Sequence, residues 1–100
     1  MSDPSTDEMV EVLRNAGEGD VLKATIEDKP CRLRVIEELS ILFSPRTKGV
    51  KTRRVDDDAF RMVYFYLNPE TEEPGDGVFA RQSFADGFGS EDVEALGFVE

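Results

Sequence analysis

The most apolar stretch of the chain is residues 59–67, Ala-Phe-Arg-Met-Val-Tyr-Phe-Tyr-Leu. At the two-residue period of a strand, Phe60, Met62, Tyr64 and Tyr66 share one face, and Val63, Phe65 and Leu67 share the other. A strand that is apolar on both faces is covered on both sides, so this is the expected central strand. It is rich in aromatic and β-branched residues, and Asn68-Pro69 closes it.

Upstream, Met9, Val12, Leu13 and Ala16 recur at helical spacing and predict an amphipathic helix over 5–16 after a loose tail at 1–4. Ser5 and Glu8 have the spacing of a capping box, and Gly17 is a natural stop. A helix of about three turns is not stable alone, so the stripe must dock on a sheet or on another subunit.

Two alternating runs follow. In residues 21–27, Leu22, Ala24 and Ile26 face inward; in 31–37, Cys31, Leu33 and Val35 do. Asp28-Lys29-Pro30 links them as an antiparallel hairpin, with Pro30 in the turn or at the start of the second strand. Residues 36–43 fit a strand through Leu39, Ile41 and Phe43, and also a helical face through Ile36, Leu39, Leu42 and Phe43. Strand is preferred, because Ser44-Pro45 cuts the run short. Residues 50–55 read as a polar edge strand, its charges blocking further pairing, and pair with 59–67 through the turn Asp56-Asp57-Asp58. An acidic loop covers 69–77, and 78–82 is the last clear strand. Residues 84–89 are glycine-rich and irregular. Ser90 caps an expected short helix over 90–96 with Val93 and Leu96 inward, and Phe98 and Val99 add a short strand or pack on the sheet.

The resulting expectation is a single domain over 1–100, with antiparallel strands between 20 and 82. Its fold class is mainly β, with α+β as the alternative: a small, strongly bent antiparallel sheet or barrel of about five to six strands, with an amino-terminal amphipathic helix and a short carboxy-terminal helix.

Charge changes the picture most. Asp and Glu number 22 against 12 Lys and Arg, for a net charge of −10. The acids run along the whole chain, and arginine outnumbers lysine. This composition resembles that of proteins from salt-loving archaea. Their carboxylate surfaces stay hydrated while molar salt shortens the Debye length to about 3 Å. No apolar run reaches the ~18 residues of a membrane span. Met1-Ser2-Asp3-Pro4 lacks the basic start and apolar stretch of a secretory signal, which predicts a cytoplasmic protein.

Chemistry is constrained by absences. The chain has no histidine, so the usual general base, Ser/His/Asp and Cys/His triads, and Cys/His zinc sites are excluded within it. No phosphate-binding glycine motif or nucleophile elbow is present. Cys31 is the one cysteine and reads as a small core hydrophobe. Asp56–Asp58 could offer oxygen ligands to a hard cation, but reads as a solvated turn. The segment 86–92 superficially resembles a calcium loop and fails where Phe88 replaces an oxygen ligand. No metal, cofactor or enzymatic activity is therefore expected.

Two features point to binding. Arg46, Lys48, Lys51, Arg53 and Arg54 lie within nine residues with no acid between them. As a loop and edge strand beside Tyr64 or Tyr66 they would form a positive ridge suited to phosphates and base stacking. Cross-strand pairing with Glu27, Glu37, Glu38 or Asp56–Asp58 would neutralise them instead. The second feature is surplus apolar surface: Val10, Leu42, Phe43, Phe79, Phe88 and Phe98 are hard to house in one small core. Met9, Val10, Leu13 and Tyr66 are the expected self-association surface. The sequence thus favours a non-enzymatic interaction module that pairs with itself, as a homodimer, or with a protein partner. A nucleic-acid-associated barrel using the 46–54 segment is the alternative.

Overall fold

The computed structural model describes residues 4–42, 45–75, 77–81 and 91–99, with side chains from Thr6 onward. One helix, α1 (Pro4–Asn15), precedes six strands: β1 (Val21–Ile26), β2 (Lys29–Leu42), β3 (Thr47–Arg54), β4 (Phe60–Tyr66), β5 (Val78–Arg81) and β6 (Glu91–Phe98). Each strand pairs antiparallel with the next, and β6 pairs back with β1, so the sheet closes into a barrel. The barrel option of the sequence reading is the one realised.

The helix starts at Pro4, one residue ahead of the expected cap. Proline suits a first turn because its missing N–H would have no intrahelical acceptor there. Ser5 therefore lies inside the helix; its side chain, and residues 1–3, are outside the described residues. The first hairpin is tighter than expected. Ile26 pairs with Lys29, and only Glu27 and Asp28 form the turn, both at positive φ (48° and 66°). Pro30 sits near the start of β2, opposite Thr25.

Residues 36–42 are strand, as preferred. They are the far half of β2, whose near half pairs with β1 and whose far half pairs with β3. Register shifts between Val35 and Glu37 and between Glu37 and Ser40 bend this long strand around the barrel. Phe43 is outside the described residues.

Two expectations are corrected. First, β3 is not an edge, since it pairs with both β2 and β4. Its polar sequence misled because Thr47 and Thr52 are buried, and Thr52 Oγ1 donates 2.7 Å to the Arg61 carbonyl. Hydroxyls satisfied within the wall can be buried at little cost. Second, residues 91–98 form a strand, not a helix. Thr25 pairs with Ala95 and Ile26 with Val93, so Glu94 is an extra residue in a bulge. The bulge shifts the alternation, and Val93 and Leu96, three apart, both reach the barrel core. Helical spacing and a bulged strand give the same pattern. The Ser90 cap and the irregular 84–89 stretch lie outside the described residues.

The interior holds Leu22, Ala24, Leu33, Val35, Val50, Val63, Phe65, Val78 and Val93. The helix stripe Met9, Val10, Leu13 and Ala16 belongs to this same cluster. Interior side chains can be touched only through an open end, so α1 lies across one end of the barrel. It contacts β6, β2 and β5. The opposite end carries the 27–28 turn, the end of β3, the start of β4 and the start of β6. The outer side of β4 is covered too. Met62 and Tyr64 form a second buried cluster with Leu42, flanked by Phe60 and Phe79. Residues 61–65 are thus shielded on both faces, as the alternation required, while Phe60 is half-buried and Tyr66 is exposed.

Candidate functional site

The basic residues are not spread evenly over this fold. Strands β1–β5 carry Lys23, Lys29, Arg32, Arg34, Lys48, Lys51, Arg53, Arg54, Arg61 and Arg81, and their only acids are Glu37 and Glu38. The other acids lie in the helix, the connections, β6 and the termini. In a chain of net charge −10, strands β1–β5 are therefore net basic, and the acids lie around them.

Register sorts these cations by face. On the outer face, Arg34 of β2 is opposite Arg53 of β3, which is opposite Phe60 of β4. The next row runs Glu37, Lys51, Met62, Arg81 across β2 to β5. The row beyond holds Ser40, Gly49, Tyr64 and Phe79. Toward β1, Lys23 is opposite Arg32. Lys23 and Arg32 line an open groove of about 620 Å³ whose apolar wall includes Pro30 and Leu96. Like charges in register are destabilising. Here two such pairs, Lys23/Arg32 and Arg34/Arg53, sit on one face of a chain rich in acids. Lys23, Arg32 and Arg34 have no carboxylate partner among the described residues.

Part of the expected basic cluster is neutralised, and part faces elsewhere. Lys51 pairs with Glu37 at 3.3 Å, and Arg53 Nη1 donates 3.1 Å to the Asp58 carbonyl. Arg54 has the opposite parity and turns toward the barrel end, where Asp57 stands 3.7 Å from its Nε. Lys48, opposite Ile41 and Phe65, also has inward parity, at the helix end. Arg46 is exposed in the 45–46 turn, and its carbonyl accepts from Leu67 N–H. Of the segment, only Lys51 and Arg53 join the outer face. Arg34, Arg81, Arg32 and Lys23 complete it, and these the sequence reading missed. The outward alternation of Arg32 and Arg34 was visible, but only the β2–β3 register brings them to Arg53.

Tyr64, expected as a stacking ring, is buried. It packs over Gly49, the one position in its row where a side chain would collide with it. The exposed ring of this cluster is Tyr66, at 48%. Tyr66 meets Tyr64 edge-on at 5.7 Å and Phe79 at 5.7 Å. Burial pushes the Tyr66 phenol up, Tyr64 adds to this, and Arg81 pulls it down. Arg81 thus stands beside the aromatic cluster.

The expected self-association residues separate. Met9, Val10 and Leu13 are buried in this chain's own core, because the helix docks its stripe on its own barrel. Only Tyr66 of the four is exposed. Val10 and Leu42 are housed after all, Phe79 packs against the second cluster, and Phe98 is exposed. Phe88 lies outside the described residues. Asp57 accepts from Ala59 N–H within its own turn, and no group of three potential metal ligands gathers among the described residues. The calcium-like 86–92 segment falls largely outside them. No described helix is long and apolar enough to cross a membrane. Compared with protein-family models, curated proteins and solved structures, the chain matches none.

Proposed function

We propose that the barrel is a non-enzymatic binding module that holds an extended anionic chain, single-stranded nucleic acid, across the outer face of β2–β5. The observation that carries this reading is the like-charge register of Arg34 with Arg53, in one row with Phe60, on the outer face that carries Arg81 one row on and the Phe79 and Tyr66 rings two and three rows on. Repulsion between in-register guanidiniums is relieved when phosphates lie between them. Exposed aromatic edges beside such a track suit base stacking, which tolerates any sequence. The acidic surround slows encounter at long range but leaves the local field of the face positive. In the molar salt that the composition suggests, stacking would carry more of the affinity, because phosphate contacts weaken with salt.

Retention of a labelled single-stranded oligonucleotide tests this. The unmutated protein is expected to bind. Arg34→Glu with Arg53→Glu should abolish retention, and Tyr66→Ala should weaken it by about 1–3 kcal/mol. No binding by the unmutated protein at any salt would end the reading.

Self-association is the second reading, favoured by one observation. Ile41, 63% exposed, and Tyr66, 48% exposed, are large apolar side chains left open at the same end of the barrel, with opposite parity in its wall. Sedimentation in molar salt decides it: a monomer at every concentration rejects it.

A further inference from the structure

The barrel end opposite α1 carries charge that the outer-face reading does not use. Arg61 is 93% buried there, because its inward parity on β4 sends the side chain into the barrel. Its Nη1 donates 3.2 Å to Glu91 Oε1, while its Nε is sealed from solvent and has no acceptor among the described residues. Arg54 Nε is likewise sealed without a hydrogen bond, since Asp57 at 3.7 Å is too far. A guanidinium cannot shed its proton to escape burial. A buried donor left empty costs about 1–3 kcal/mol. Around these atoms lies a pocket of about 320 Å³ lined by Ile26, Lys29, Cys31, Arg54, Arg61 and Glu91. Three cations thus face one lining carboxylate.

We infer that this pocket is a binding site for a small oxyanion, a phosphate or carboxylate group, seated between Arg54 and Arg61. Its oxygens give the two guanidiniums charged acceptors, in the forked geometry guanidinium favours. The volume is at the small end of the ~300–1,000 Å³ typical of ligand pockets, so the group is free or carried on a small molecule. Glu91 competes with it for Arg61. Cys31 lines the same pocket, and burial pushes its thiol up despite Arg61 and Arg54. It stays neutral and leaves the anion position open. This inference is independent of the nucleic-acid reading, since neither Arg54 nor Arg61 belongs to the outer face; Cys31 lines both this pocket and the Lys23/Arg32 groove.

Cys31 is the chain's one cysteine, so its modification rate with N-ethylmaleimide reports on the pocket. The rate is measured against inorganic phosphate, and separately acetate, with chloride holding ionic strength constant. Saturable protection by phosphate is expected. Arg54→Gln should weaken it by about 10-fold or more, the loss of one charge-assisted contact, and Glu91→Gln should tighten it. Protection by acetate as well assigns the site to carboxylates and phosphates alike; protection by phosphate alone assigns it to phosphates. A rate in the unmutated protein that neither anion changes overturns the inference, whatever the variants do. So does protection lost in Arg32→Gln but kept in Arg54→Gln, which would place the anion in the neighbouring groove.

Discussion

Arg34 and Arg53 face each other directly across β2 and β3 on the outer surface of the barrel. Like charges in that position cost roughly 0.2–1 kcal/mol. Arg34→Glu converts the pair from repulsive to attractive. The variant should melt a few degrees higher at low salt, since ~1 kcal/mol moves Tm by about 4–8 °C in a domain this size. It should also bind oligonucleotide less well. Thermal unfolding by circular dichroism measures the gain, which molar salt should erase. An unchanged or lower Tm at low salt would mean that the two guanidiniums do not strain the sheet.

Gly49 and Tyr64 form a second pair in register. A Cβ at Gly49 would stand 2.6 Å from the Tyr64 Cβ and would also collide with the Val63 carbonyl. Backbone cannot give way as a side-chain tip can. Gly49→Ala should cost about 1–3 kcal/mol, in the range of overpacked interiors. Urea unfolding checks this, and a neutral result would show that β3 and β4 can part locally at no cost.

Leu13 is fully buried, and its helix fills one end of the barrel. Leu13→Ala should cost about 2–5 kcal/mol, as for other buried leucines. Were the helix a removable appendage, the same substitution would cost close to nothing, and the unfolding midpoint in urea separates the two.

The Glu27-Asp28 turn spends two non-glycine residues in the left-handed region. Each is disfavoured there by roughly 1–2 kcal/mol, less for aspartate. Asn-Gly is the pair that two-residue hairpins prefer. Glu27→Asn with Asp28→Gly should therefore raise the unfolding midpoint, and a lower midpoint would show that these side chains support the turn in another way.

How far the chain could be read in advance follows from the kind of information each feature needs. The two-sided strand 60–66 was visible because alternation is a local signal, and burial on both faces followed for 61–65, with Tyr66 left exposed. The helix stripe was visible for the same reason, but its destination was not. Met9, Val10 and Leu13 look alike whether they cover a sheet, a second subunit or a barrel end. Residues 91–98 misled because the Glu94 bulge turned a period of two into a spacing of three. The basic segment was read as one ridge, yet alternation sends Arg53 outward and Arg54 inward. Arg34 joins Arg53 only through pairing of β2 with β3, and Glu91 meets Arg61 across 30 residues of chain. Long-range register of this kind leaves no trace in a single sequence.

Glu94, the bulge residue, links stability to pH. Partial desolvation pushes its carboxyl up from the ordinary 4.5, and Asp28 adds hydrogen bonding and repulsion. Asp28 N–H, which donates to it at 3.1 Å, opposes the rise without cancelling it. The folded chain then holds this proton more tightly than the unfolded chain does. Its contribution is present below the ordinary carboxylate range and is lost as pH rises through the raised folded value. Glu94→Gln should therefore be more stable than the unmutated protein at pH 7, with the difference shrinking in acid. Denaturation curves at several pH values test this; a wild type that gains on the variant as pH rises would reverse the sign.

The most direct test of the outer face as a nucleic-acid track is a salt titration of oligonucleotide affinity by fluorescence anisotropy. If Arg34, Arg53 and Arg81 contact phosphates, log K should fall against log salt with a slope of about −2, near −0.7 per contact for single strands. Arg34→Glu should flatten that slope. An affinity that does not depend on salt, or the same slope with Arg34 and Arg53 both reversed to glutamate, would contradict it.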